Sequence, residues 1–263
     1  MKIGVLGAGA MASVLAGRWS AAGHELFIGA RNAGAARTLA ARLGVDVPSG
    51  SLRDAALFGD VALLAIWPTG VIAALLQAGA AEGTLAGRVV VDCNNPVETR
   101  SFTLTTGEAS LAEQIARLAP GASVVKAFNQ CQAGVWAMDP PHFDGRPLTV
   151  PLCGNDPASK DITPPPFNVR SSVHEYGGGA CVTRLIQDLG CRALDVGPLH
   201  RARHLEAMAA VVIGLLFSGT DPLTVFNLVS STAPSAPLEN RNHEEGARAS
   251  RLPHLDSGDA VTR

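Results

Sequence analysis

The chain has 263 residues, 47% hydrophobic and 17% charged, with a formal net charge of −2. That length and composition suit one α/β domain, alone or with a small appendage. The near-neutral balance offers no basic surface for nucleic acid. Five cysteines, none in a C-x-x-C pair, read as reduced thiols of a cytoplasmic protein. Residues 207–219 form the longest uncharged apolar run, too short to span a bilayer, so no membrane is expected as a partner.

In chain order, an apolar strand over residues 2–6 ends in Gly7-Ala8-Gly9-Ala10-Met11-Ala12. Gly7, Gly9 and Ala12 occupy the three places of the dinucleotide fingerprint G-x-G-x-x-G/A. The first glycine permits a tight turn, the second lets backbone approach a pyrophosphate, and the small third residue lets helix and strand pack closely. The helix expected over residues 10–22 aims its first amides, those of Ala10, Met11 and Ala12, at the phosphates. A second strand is predicted over 25–29, a surface helix over 32–43 and a short third strand over 45–47. Ser51 caps a helix through residue 57, with Asp54 as a partial capping box.

Continuous apolar strands over 60–66 and 88–92 fit a sheet buried on both faces. A helix over 69–78 separates them. Residues 97–109 read as a loop. Ser110 and Glu113 make a capping box for a helix through residue 118. Strands follow over 123–128 and 148–153, with irregular or partly helical chain between them. A helix over 181–189, a strand over 192–196 and a long helix over 202–218 complete the pattern. The alternation predicts a doubly wound, mostly parallel α/β sheet with ligands at the strand C-termini. The last helix is apolar nearly all round, which implies burial in the chain's own core or against a partner in a homodimer.

Two segments break the pattern. Residues 161–179 carry three consecutive prolines and three consecutive glycines, and neither run is expected inside a helix or a central strand. Residues 232–263 mix Pro, Ser, Gly and both charges with little apolar content, and read as a disordered tail.

Several stretches together resemble the NADPH-dependent coenzyme F-420 reductase family. They are MKIGVLGAGAMASVLAGRWSAAGHELFIGAR at 1–31, VVVDCNNP at 89–96, SLAEQIARLAPGASVVKAFN at 110–129, PLCGND at 151–156 and VTRLIQDLGCRALDVGPLHRARHLEAMA at 182–209. The resemblance implies a Rossmann NADP-binding domain over 1–231 and hydride transfer between NADP and a deazaflavin stacked on the nicotinamide. It also implies frequent homodimers. Family-like sequence resumes at Ala180 as though it followed Lys160, so 161–179 look inserted. The insert itself resembles a blade segment of prolyl-oligopeptidase-type propellers. No G-x-S-x-G nucleophile elbow accompanies it, and it is expected to carry no peptidase function. His174-Glu175 lacks a second histidine one helical turn away and is no metal site.

Hydride transfer between two rings needs binding, orientation and dryness rather than a general acid or base, so no catalytic side chain and no metal is expected. The cofactor is read as NADP. Strand two ends Ile28-Gly29-Ala30-Arg31-Asn32 without the carboxylate of an NAD site, and Arg31, helped by Arg37, can pair with a 2′-phosphate. Contact residues are expected at strand ends: Trp67 and Pro68, then Asn94, Asn95 and Pro96, then Phe128 and Asn129. Asn94 and Asn95 can donate to a carboxamide or phosphate, while Pro96 shapes the ring floor. His200 and His204 read as surface or partner-facing. The co-substrate is expected to be coenzyme F-420 or a flavin. In two respects the chain departs from the family pattern: Ala30 stands where members usually have serine, and Arg100 is the only cation in 97–109. Two other readings stay open, a non-catalytic NADP-binding sensor and a reductase of a small carbonyl or imine.

Overall fold

The computed structural model describes residues 1–155, 177–221 and 225. Contacts divide the chain into two units, Met1–Pro222 and Leu223–Arg263, and every element named below belongs to the first.

The first half runs β1 (Lys2–Leu6), α1 (Ala10–Ala21), β2 (Glu25–Gly29), α2 (Ala33–Leu43), β3 (Ser49–Gly50), α3 (Leu52–Phe58) and β4 (Val61–Leu64). A 3-10 turn at Pro68–Gly70 leads into α4 (Val71–Ala78) and then β5 (Val89–Asp92). The second half runs α5 (Leu111–Leu118), β6 (Ser123–Lys126), α6 (Ala133–Trp136), a hairpin of β7 (His142–Phe143) and β8 (Arg146–Pro147), β9 (Thr149–Gly154), α7 (Gly177–Gln187), β10 (Arg192–Pro198) and, after a 3-10 turn at Leu199–Arg201, α8 (Ala202–Phe217).

The main sheet has the order β10-β9-β6-β5-β4-β1-β2-β3. Its β3-β2-β1-β4-β5-β6 portion is the Rossmann order, whose direction of winding reverses between β1 and β4. All neighbours are parallel except β6 and β9, which meet antiparallel at Val125↔Gly154 and Lys126↔Cys153.

The central strands are apolar at successive positions because each face has its own core. Val5, Leu63, Val91 and Val125 pack with Leu15, Trp19 and Leu185 on one face. Leu6, Leu64, Val90 and Val124 pack with Leu75, Ile115 and Leu205 on the other. That alternation is the period-two geometry of a strand covered on both sides. Both predicted capping boxes form completely. Ser51 Oγ accepts from Asp54 N at 3.1 Å, and Ser110 Oγ accepts from Glu113 N at 3.1 Å.

The structure corrects three expectations. The third strand is Ser49–Gly50, not residues 45–47; Gly44 to Val47 form a turn, and pairing Ile28↔Ser49 fixes the register despite poor strand propensity. Gly177–Gly179 open α7, because the first helical turn has no intrahelical amide bonds to lose. Helix α8 is not buried all round: Leu205, Ala209 and Ala210 face inward, whereas Val211, Leu216 and Phe217 are exposed. The rest of the expected insert and the 232–263 tail lie outside the described residues. Among the described residues, no helix is long and apolar enough to cross a membrane.

Candidate functional site: two joined clefts at the sheet edge

The turn after β1 explains its glycines individually. Gly7 has φ 129°, and its amide donates to Gly29 O at 2.8 Å. A Cβ there would stand 2.1 Å from Ala65 O, so any side chain would push β1 away from the end of β4. Gly9 is different. Its φ of −86° suits any residue, and a Cβ would meet nothing within 4 Å. The space in front of Gly9 is open, as a closely approaching ligand requires. Helix α1 begins there with no side-chain cap and no acidic residue in its first turn, leaving its amides free for an anion. Ala12 is fully buried against the sheet and plays the packing part expected of the third position.

Two clefts open from this turn. The smaller, of about 340 Å³, is lined by Gly7, Gly9, Arg31, Asn32 and Trp67 among others. The larger, of about 920 Å³, runs past Ala10, Met11, Trp67, Pro68, Asn94, Asn95 and Asn129 to the outer half of α8. They share Gly9, Ala65, Ile66 and Trp67. Trp67 stands at the junction with 72% of its surface exposed. Arg31 is exposed, and its Nη2 lies 3.9 Å from where a Gly70 Cβ would be, so the guanidinium reaches across toward the 3-10 turn. Among the described residues no carboxylate pairs with it. Asn32 does not compete for a ligand; its side chain accepts from Ala35 N at 3.0 Å and caps α2.

Three expected contact residues stand elsewhere. Phe128 is buried in the core, edge-on to Trp19 at 5.7 Å and to Trp136 at 5.4 Å between ring centroids. A large apolar side chain with core space behind it takes that space, even at a positive φ of 62°. Pro96 is buried outside the cleft walls; its carbonyl accepts from Thr105 and fastens the following loop. Arg37 is exposed on α2 and lines neither cleft. Both Asn94 side-chain donor bonds are internal, to Leu64 O and Asp92 Oδ1 at 2.8 Å each, which removes the donor role expected for it. Asn95 and Asn129 bond one another, Asn95 Nδ2 to Asn129 O at 2.6 Å and Asn129 Nδ2 to Asn95 Oδ1 at 2.8 Å. These amides form a rigid floor, and Gln130 ties it to α8 through Leu205 O at 2.8 Å. His200 and His204 are exposed and line neither cleft.

Behind the floor lies a cluster that the sequence reading missed. Lys126 Nζ, fully buried, donates to Asp92 Oδ2 at 2.8 Å, to Asn94 O at 2.5 Å and to Glu206 Oε1 at 2.8 Å. Burial pulls the Lys126 ammonium toward neutrality, but Asp92 and Glu206 outweigh it and hold the group above its usual range. Burial pushes the Glu206 carboxyl up, opposed by Lys126 and by the Leu111 amide. One signal was available in the sequence: a lysine ending an apolar strand and a glutamate within an apolar helix, charges that enter a core only when paired.

Cys93 and Cys131 also line the larger cleft. Burial raises their thiols to about 12 and about 11, so neither is a thiolate at neutral pH. Among the described residues no group of His, Cys, Asp or Glu is placed to hold a metal.

Comparison with known proteins agrees with this geometry. The pattern of the family described as "NADP oxidoreductase coenzyme F420-dependent" matches residues 2–96. A crystal structure from Arthrobacter sp. FB24, described as a putative F420-dependent NADP-reductase, is 31% identical; the match covers 84% of this chain and 96% of that one, with a TM-score of 0.67. The F420-dependent NADP reductase of Methanocaldococcus jannaschii is 27% identical over 169 residues, 62% of this chain and 65% of that protein. Metalloreductase STEAP3 of Rattus norvegicus is 29% identical over 208 residues, 79% of this chain but 36% of that protein. The chain thus spans less than two thirds of the length of either of these last two relatives. With its Rossmann strand order, its open fingerprint turn and these matches, the chain belongs to the coenzyme F420-dependent NADP oxidoreductase family.

Proposed function

We propose that the protein binds NADPH along the two joined clefts and passes its hydride to a flavin or deazaflavin ring seated in the larger one. The observation that carries this reading is the shared wall. A dinucleotide anchored at Gly9 and Arg31 would pass Trp67 into a second, mostly apolar cavity with room for another ring. At about 920 Å³ that cavity is near the upper end of the roughly 300–1,000 Å³ usual for small-molecule sites. The names of the Arthrobacter and Methanocaldococcus proteins point to the same chemistry.

In this reading the protein's work is positional. The α1 amides and Arg31 hold the phosphates. Ile66 and Trp67 bound the crossing point, Met11 and Pro68 line the larger cleft beyond it, and the Asn95–Asn129 pair forms its floor. The nicotinamide supplies the hydride when bound. Close approach of two rings in a dry pocket lowers the barrier without a proton donor on the protein. Stopped-flow mixing of protein and NADPH with a deazaflavin, a flavin or a cyclic imine tests the assignment. Loss of nicotinamide absorbance with a ring acceptor is the expected result. Turnover with the imine alone would assign an imine reductase instead, and binding without turnover would assign a sensor.

A further inference from the structure

The described lining of the larger cleft is uncharged. Among the described residues no Lys, Arg, His, Asp or Glu lines it. Lys126, behind Asn94, has its three donor bonds committed to Asp92, Asn94 O and Glu206. Arg31 lines only the smaller cleft. Arg100, the only cation of the 97–109 loop, is exposed and outside the lining. The contrast within one site is informative. Where a pyrophosphate and a 2′-phosphate are expected, the chain places bare helix amides and the Arg31 guanidinium, which pairs with no carboxylate among the described residues. Where the second ring is expected, it places Val97, Val135, Val212 and Ile213, with amides as the main polar groups.

Resting on the proposed reading, we infer that the second substrate is electrically neutral: a flavin-type ring whose side chain bears no phosphate. A phosphate-bearing tail gains from charge-assisted bonds only where cations meet it, and buried without them it costs free energy. A neutral ring has an apolar rim for the valine and isoleucine walls. Its imide edge can bond Thr99, Gln132 or a free lone pair of the Asn95–Asn129 pair.

The test uses fluorescence titration of riboflavin and of flavin mononucleotide onto the full chain saturated with NADP. The two probes share a ring and differ by one phosphate. Riboflavin binding at least as tightly as the mononucleotide, with little change as salt rises, is the expected result. Mononucleotide binding that is about tenfold tighter and weakens with salt would overturn the inference by revealing a cation that grips the tail. Failure of both flavins to bind would overturn it too. Turnover is read separately. Riboflavin that binds but is not reduced by NADPH would sink the proposed reaction and leave the neutral site standing. Reduction of a preferred mononucleotide would do the reverse.

Discussion

Lys126 Nζ stands 2.8 Å from Glu206 Oε1, joining the end of β6 to the inner face of α8 with both side chains fully buried. Asp92 completes the cluster from β5 and uses its other oxygen to hold the Asn94 backbone and side-chain amides at 3.0 and 2.8 Å. One ammonium therefore braces the floor of the larger cleft and the helix that forms its far wall. Lys126→Met should remove the cation shared by two buried carboxylates and destabilise the protein by about 3–5 kcal/mol. Urea unfolding measures the loss, and adding Glu206→Gln should recover part of it. A single variant as stable as the parent would show that the cluster contributes nothing net.

Gly9→Val should leave the fold intact and abolish NADPH binding. The backbone at Gly9 accepts a side chain, and its Cβ would enter open space. That open space is where the pyrophosphate is expected. Thermal unfolding should be nearly unchanged while titration with NADPH shows no saturation; retained affinity would place the phosphates elsewhere.

Arg31→Ala should weaken NADPH binding by about one to two powers of ten and leave NADH nearly unaffected. Charge-assisted bonds to a phosphate contribute on the order of 1.5–3 kcal/mol, and the 2′-phosphate exists only on NADPH. Arg37→Ala serves as the control, since Arg37 lines neither cleft. Equal losses for both cofactors would assign Arg31 to the fold.

The α5 capping box predicts a pH signature. The Ser110 backbone amide, donating to Glu113 Oε2 at 2.8 Å, leads the causes that hold the Glu113 carboxyl below the usual glutamate range. A lowered carboxylate contributes stability above its unfolded pKa and loses it as pH falls through the folded value. Glu113→Ala should therefore cost about 0.5–1.5 kcal/mol at neutral pH. The gap to the parent should narrow below about pH 4, where glutamates protonate. Glu206 acts in the opposite sense. Its carboxyl is raised by burial, so its contribution is present in acid and declines as pH rises through the raised value. Melting curves of the parent, of Glu113→Ala and of Glu206→Gln across the pH range check both signs.

By itself the sequence determined what local chemistry determines. Glycine spacing after an apolar strand announced the turn at Gly7 and Gly9. Ser51 with Asp54 and Ser110 with Glu113 announced two helix starts, and the absence of a carboxylate after Ile28 singled out Arg31. Each of these signals lies within a few residues of its effect. Tertiary structure decided the rest, because packing and pairing join residues far apart in the chain. Phe128 sits at a strand end and could have faced a ligand, but Trp19 and Trp136 offered it a core position. Asn94 carries the donors a cofactor would need, yet Leu64 and Asp92 use them first. Which face of α8 turned inward was hidden by its nearly uniform apolarity. Glu206 decided it, because a buried carboxylate must find its cation, and Lys126 lies 80 residues away along the chain.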